Sequence, residues 1–144
     1  MRVIFEPVRE GGRLPEYKSS GASGMDMYYQ SYLEPLVLRP GCRATVPGGF
    51  KLQLPCGYEA QVRGRSGRFA KEGLHVELGT IDADYRGEVG VMIQNMGHYD
   101  VVLRGGERFA QLVIAPVVRV AVVSGLVDST ERGTGGFGST GGDR

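Results

Sequence analysis

The sequence predicts an all-β fold, a jelly-roll-like sandwich or barrel with one short helix and a flexible, glycine-rich C-terminal arm. Three observations carry that expectation. Apolar residues come in short β-branched runs at roughly even spacing. Turns built on proline and glycine separate the runs. The 24 glycines among 144 residues are about twice the average share. Many short strands divided by turns are the pattern of sandwiches and jelly rolls.

Residues 2–7 form the first β-prone run, and Gly24-Met25-Asp26-Met27 sets one carboxylate between apolar residues on a second. Residues 36–38, 50–54 and 58–63 follow, set apart by Pro40-Gly41, Pro47-Gly48-Gly49 and Pro55-Cys56-Gly57. Residues 65–71 give the only helical signal, with Ser66 near its start. Further strands are expected at 89–94, 100–103, 108–115 and 117–123, divided by Met96-Gly97 and Gly105-Gly106. The β domain is placed at residues 1–127 and the arm at 128–144, without internal repeats.

The length suits one domain with a real core. A net charge of +1 gives no case for sequence-independent nucleic-acid binding. The longest apolar stretch, 112–123, is broken by Pro116 and Arg119, so no membrane span is expected. Cys42 and Cys56 lack CxxC spacing and no signal peptide precedes them. A cytoplasmic or nuclear location, rather than secretion, follows. Lysine occurs only at Lys18, Lys51 and Lys71. Arginine supplies the other basic groups, and its planar donor fork suits phosphate.

Four internal segments and the tail hold the candidate chemistry. Asp26, if buried, needs a partner, either structural or towards a metal-bound ligand. Gly64-Arg65-Ser66-Gly67 offers N–H groups, a hydroxyl and a guanidinium at a helix start, which reads as a capped turn or a phosphate site. In Gly79-Thr80-Ile81-Asp82-Ala83-Asp84-Tyr85-Arg86-Gly87, an extended backbone would put Asp82 and Asp84 on one face. The same residues also read as a polar turn with an Asp84–Arg86 pair. Two carboxylates without a third ligand make a weak metal site. In Gly106-Glu107-Arg108-Phe109-Ala110-Gln111-Leu112, Gln111 interrupts an apolar run and needs a partner, internal or bound. His75 and His98 stand apart from cysteine or a second histidine, against zinc. No serine has a triad's spacing. The tail, RGTGGFGSTGGDR from Arg132, contains a literal GxGxxG but no following helix or Walker lysine. It reads as a disordered tail or as an arm that orders on a ligand.

Taken together and in order, these segments resemble the five motifs of the homotrimeric dUTPase family: GMDM, GRSG, GTIDADYRG, GERFAQL and RGTGGFGSTG. The resemblance covers residues from about 22 to 141. It implies a jelly-roll-like fold and hydrolysis of dUTP to dUMP and pyrophosphate, which lowers dUTP and supplies dUMP for thymidylate synthesis. Mg2+ would accompany the triphosphate, and three sites would form at the subunit interfaces of a homotrimer. Asp82 would act as general base for in-line attack of water at the α-phosphorus. Arg65, Ser66, Gly67 and Gln111 would hold phosphate oxygens, and Asp26 would meet the metal through water. Tyr85 would lie against deoxyribose and exclude a 2′-hydroxyl, while Phe137 stacks on the base. Arg132, Gly138, Ser139 and Thr140 would close over the triphosphate from another subunit. The chain departs from the usual pattern at Arg68 and Phe69 after the second motif. It also departs at Tyr28 and Tyr29 after the first, and at Glu77 and Leu78 in the hairpin from about Leu74 to Tyr85, whose main chain, the resemblance implies, reads uracil. These positions border the site and bear on affinity and arm docking. The rival expectations are a dCTP deaminase or bifunctional deaminase–diphosphatase on the same fold, and a nucleotide-switched regulatory binding protein. GRSG and the intact arm favour the diphosphatase.

Overall fold

The computed structural model describes residues 1–136. Its strands are β1 (Ile4–Pro7), β2 (Gly24–Tyr28), β3 (Leu36–Leu38), β4 (Arg43–Pro47), β5 (Phe50–Gln53) and β6 (Tyr58–Gly64). Helix α1 (Ser66–Glu72) precedes β7 (Leu74–Val76), β8 (Gly79–Ile81), β9 (Gly90–Asn95), β10 (Val101–Leu103) and β11 (Arg108–Pro116). All pairing between strands is antiparallel. One sheet runs β2-β11-β6-β8 and a second β4-β9-β7, with the pairs β1-β5 and β3-β10 beside them. This is the jelly-roll-like arrangement expected.

Alternation explains the layers. On β6, Ala60 and Val62 point into the core while Glu59, Gln61 and Arg63 point out. On β9, Val91, Ile93 and Asn95 are buried and Met92 and Gln94 exposed. The inward residues join Met25, Met27, Phe50, Leu74, Leu103, Phe109 and Leu112 in one core, and burying that apolar surface is the main force for folding. Among the described residues Gln30 and Asn95 are the buried polar side chains, and both are satisfied. Gln30 accepts from the Arg13 N–H at 2.9 Å and donates to Gly48 O at 2.8 Å. Asn95 donates to Leu38 O at 2.7 Å and Tyr99 O at 2.8 Å. Such bonds fix neighbouring loops to the barrel, because breaking one would leave a buried polar group unpaired.

Helix α1 buries no residue fully and ends at Gly73, whose φ of 71° is left-handed. A Cβ at Gly73 would lie 2.4 Å from Gly97 N, so the stop needs glycine for both conformation and space.

Strands β4, β7 and β8 fall outside the runs expected from composition. Arg43–Pro47 and the short Leu74–Val76 and Gly79–Ile81 carry too few apolar residues to stand out alone. The strand expected at 117–123 does not form. The Val117 N–H still donates to Gly57 O at 2.8 Å. Beyond it Val118, Val120, Val122 and Val123 are 75–94% exposed. Both edges of β11 are already taken by β2 and β6, and beyond it this β-prone segment joins no ladder among the described residues. Both cysteines are free and exposed. No helix among the described residues is long and apolar enough to cross a membrane.

The segment before β2 is stapled to it. Glu16 N–H donates to Asp26 O at 3.2 Å and Asp26 N–H to Glu16 O at 2.9 Å. The Glu16 carboxylate gathers the Lys18 ammonium, the Tyr28 hydroxyl and the Arg13 guanidinium. These bonds, led by Lys18, lower its pKa from 4.5 to about 2. A depressed carboxylate stabilises the fold above its unfolded pKa, and that contribution is lost as pH falls towards the folded value. In a pH series of unfolding curves, Glu16→Gln is therefore expected to be less stable than the parent at neutral pH. The difference should shrink between about pH 4.5 and 2. A difference that stays constant across this window would contradict the assignment.

Candidate functional site

Asp26, Gln111 and Arg63 occupy aligned positions on β2, β11 and β6. Directly opposed residues share a face, so this row looks away from the core. The register of β11 against β2 slips between Arg108 and Ala110, a β-bulge. The extra residue breaks alternation: Phe109 and Ala110 are both fully buried, and Arg108 turns to the side of Gln111 and Asp26. Arg65 follows the end of β6 and caps the start of α1 in an extended conformation.

These placements close a compact polar network. Asp26 Oδ1 lies 3.0 Å from Arg65 Nε and Oδ2 lies 3.0 Å from Arg108 Nη1. The Asp26 side chain is only 14% exposed, so the expected partner exists and is doubled. Arg65 also donates to Arg108 O at 3.2 Å. Gln111 Nε2 donates to Gly64 O at 2.8 Å; its partner within the chain is a main-chain carbonyl. Gln111 packs on bare backbone at Gly24, where a Cβ would lie 2.4 Å from Oε1. Partly exposed ion pairs add little stability, and their consequence here is orientation. Lys18, Asp26, Arg65, Ser66, Gly67 and Gln111 border one cleft of about 350 Å3.

The third segment lies elsewhere. Asp82 follows β8, and its carbonyl accepts the Tyr85 N–H at 3.1 Å, closing a turn over residues 82–85. Asp82 and Asp84 thus sit on a turn, and the extended arrangement with a shared face does not apply. Arg86 does not pair with Asp84; Nη1 donates to Ala83 O and Tyr85 O, each at 2.8 Å. The Tyr85 hydroxyl donates to Glu88 O at 2.9 Å, which lays the ring across Gly87. Among the described residues the Asp82 carboxylate has no hydrogen-bond or ion-pair partner, and nothing links this turn to the cleft. Arg132 sits in a separate turn, with Nε donating to Gly135 O at 2.9 Å. Phe137, Gly138, Ser139 and Thr140 lie outside the described residues.

Arg108 and Lys18 border the network without having been singled out in the sequence. Arg108 depends on a bulge that no residue pattern announces. Lys18 depends on the Glu16 staple. Of the departures after the motifs, Arg68 pairs with Glu72 at 3.2 Å and reaches Glu107 at 3.6 Å. Tyr28 and Tyr29 are buried, and Leu78 is exposed.

Architecture and cleft together make this a jelly-roll-like β domain with cations lining a cleft on one sheet. Residues 10–141 match the dUTPase family. The deoxyuridine 5'-triphosphate nucleotidohydrolase of Bdellovibrio bacteriovorus is 53% identical, over 90% of this chain and 89% of the relative. That of Rhizobium meliloti is 48% identical, over 98% and 91%. The solved Staphylococcus bacteriophage 80alpha dUTPase with dUPNHPP superposes with a TM-score of 0.85 at 28% identity, covering 97% of this chain and 98% of that one. The chain belongs to the dUTPase family.

Gly24 offers a direct check on the network. In Gly24→Ala the new methyl displaces the Gln111 amide, costing one hydrogen bond, or about 1 kcal/mol. A thermal melt should fall by roughly 2–4 °C, and a crystal structure should show Gln111 turned away from Gly64. An unmoved Gln111 would contradict the packing.

Proposed function

We propose that this chain hydrolyses dUTP to dUMP and pyrophosphate, and that it does so as a homotrimer whose sites each draw on more than one copy. One observation carries the assembled-site reading: the two halves of the chemistry lie at opposite ends of one sheet. Ile81 is paired with Ala60, whereas Arg65 lies beyond the far end of β6. Five residues of strand span roughly 16 Å, too far for one water to be activated by Asp82 while its target phosphate rests on Arg65. A second copy that brings its turn to this cleft removes the gap. The exposed valines after Pro116 support the same reading, since this β-prone segment joins no ladder among the described residues and is open to another copy.

Within such a site the cleft residues do electrostatic work. Arg65, Ser66, Gly67 and Gln111 donate to phosphate oxygens as charge builds on them, and phosphoryl transfer depends chiefly on such positioning. Asp26 and Arg108 hold the Arg65 fork in place. Asp82, exposed on its turn and without a side-chain partner among the described residues, would orient the water and take its proton for in-line attack at the α-phosphorus. The Tyr85 ring, fixed by Glu88 O and flattened against Gly87, presents an apolar wall to the sugar where a 2′-hydroxyl would collide. Arg132 and the arm from residue 128, with Phe137, Gly138, Ser139 and Thr140, close over base and phosphates.

The donor set fits Mg2+ in one way. Both Asp26 oxygens are engaged by arginines, and no group of three or more His, Cys, Asp or Glu among the described residues could hold a metal. That suits an ion carried by phosphate oxygens and water, with Asp26 accepting from a metal-bound water. Bound there, Mg2+ would neutralise triphosphate charge and fix its geometry.

A panel of dUTP, dCTP, dTTP and UTP with separate pyrophosphate and ammonia readouts tests the reaction. Pyrophosphate release from dUTP alone is expected; ammonia from dCTP would overturn it. Asp82→Asn should lower turnover by about 100-fold or more while nucleotide binding persists. Retained turnover would remove Asp82 from the role of base.

A further inference from the structure

We propose that Lys18 is a further phosphate-binding residue of the triphosphate cleft, and that Glu16 is the positioning residue that holds it there. The proposal rests on the reading of Arg65, Ser66 and Gln111 as the phosphate cradle. Lys18 borders the same cleft as those residues. Its place is set by covalent and hydrogen-bonded connections to the cradle itself. Glu16 is tied through two backbone hydrogen bonds to Asp26, whose side chain holds Arg65 and Arg108. The Glu16 carboxylate is fixed from its other sides by the hydroxyl of buried Tyr28 and by Arg13 at 2.6 Å. Arg13 in turn lies over the Tyr28 ring, 3.5 Å from its centroid. Lys18 bonds to this anchored oxygen.

The geometry has a chemical consequence. An ammonium carries three donors, so the bonds to Glu16 and Tyr28 leave one for a ligand. A lysine on the surface must give up side-chain freedom when it grips an anion; this one has already given it up. The charge balance also favours a polyanion. Glu16 faces Arg13 and Lys18, and Asp26 faces Arg65 and Arg108, so each carboxylate meets two cations and a positive surplus borders the cleft. Its bonds to Glu16 and then Tyr28 raise the Lys18 pKa above the usual lysine value and outweigh the opposing effect of burial, so the ammonium stays charged.

The test is calorimetric titration with α,β-imido-dUTP, a non-hydrolysable analogue, at two salt concentrations, with melting temperature measured alongside. Lys18→Met should weaken binding by about tenfold and flatten its salt dependence. Lys18→Arg should restore most of the affinity. Glu16→Gln, which keeps the lysine but loosens it, should fall between parent and Lys18→Met. Analogue affinity within about twofold of the parent for Lys18→Met would overturn the proposal, whatever the melting temperature does. Should Lys18→Met fail to fold, Lys18→Gln gives the same reading. Arg65→Ala separates the two layers of the argument. If it loses affinity and Lys18→Met does not, only the lysine assignment fails. If neither loses affinity, the cradle reading fails with it.

Discussion

The bulge in β11 is the constraint on which the site depends. Strand pairing alone would give β11 a regular alternation, with residues 108, 110 and 112 on one face. One extra residue at Phe109 reverses the phase. Downstream, Ala110 and Leu112 fill the core and Gln111 faces out; upstream, Arg108 also faces out and reaches Asp26 at 3.0 Å. Without the slip, Arg108 would point into an apolar core where no partner waits, and Asp26 would hold one cation instead of two. The buried Phe109 and Ala110 supply the apolar contacts that offset the lost ladder bond. Packing in the core and the charge pattern on the outer face are thus set by the same irregularity.

The sheet that contains the bulge also explains how the family's motifs come together and where they do not. Asp26, Arg65 and Gln111 arrive from β2, the end of β6 and β11, three adjacent strands, so hydrogen-bonded register brings them into contact. The turn carrying Asp82 and Tyr85 hangs from β8 on the same sheet, yet at the opposite end. A jelly-roll-like barrel has no interior to bring such groups together, because its inward positions are filled by side chains. The proposed assembly of copies would unite them. The apolar stretch after Pro116, exposed in a single chain, is consistent with that need.

Much of this was legible in the sequence, for reasons that differ by residue. The barrel strands with period-two apolar runs, such as β6 and β11, could be read within a residue or two, because alternation and turn punctuation are local. Strands β4, β7 and β8 could not, since their pairing with β9 and β6 rather than their composition makes them strands. The segment at 117–123 failed in the opposite sense: its β propensity is real, but propensity supplies no partner. At the site, the need for a partner at Asp26 followed from burying a carboxylate. That both its oxygens would be taken by Arg65 and Arg108 did not, because a bulge leaves no periodic mark. Asp82 and Asp84 looked like a shared face on extended backbone until the Asp82–Tyr85 hydrogen bond turned the chain. Lys18 is visible only through Glu16, whose backbone pairing with Asp26 joins residues ten apart in sequence.

In the proposed assembly, one copy's Asp82 serves another copy's Arg65. Subunit mixing tests it most directly: Asp82→Asn and Arg65→Ala chains, each inactive alone, are unfolded together, refolded and assayed for pyrophosphate release from dUTP. Random assembly should return activity in about a quarter of the sites, each pairing an intact Asp82 with an intact Arg65 from different chains. Mixed assemblies with no recovered activity would contradict the account, since sites built within single chains could never be repaired by mixing.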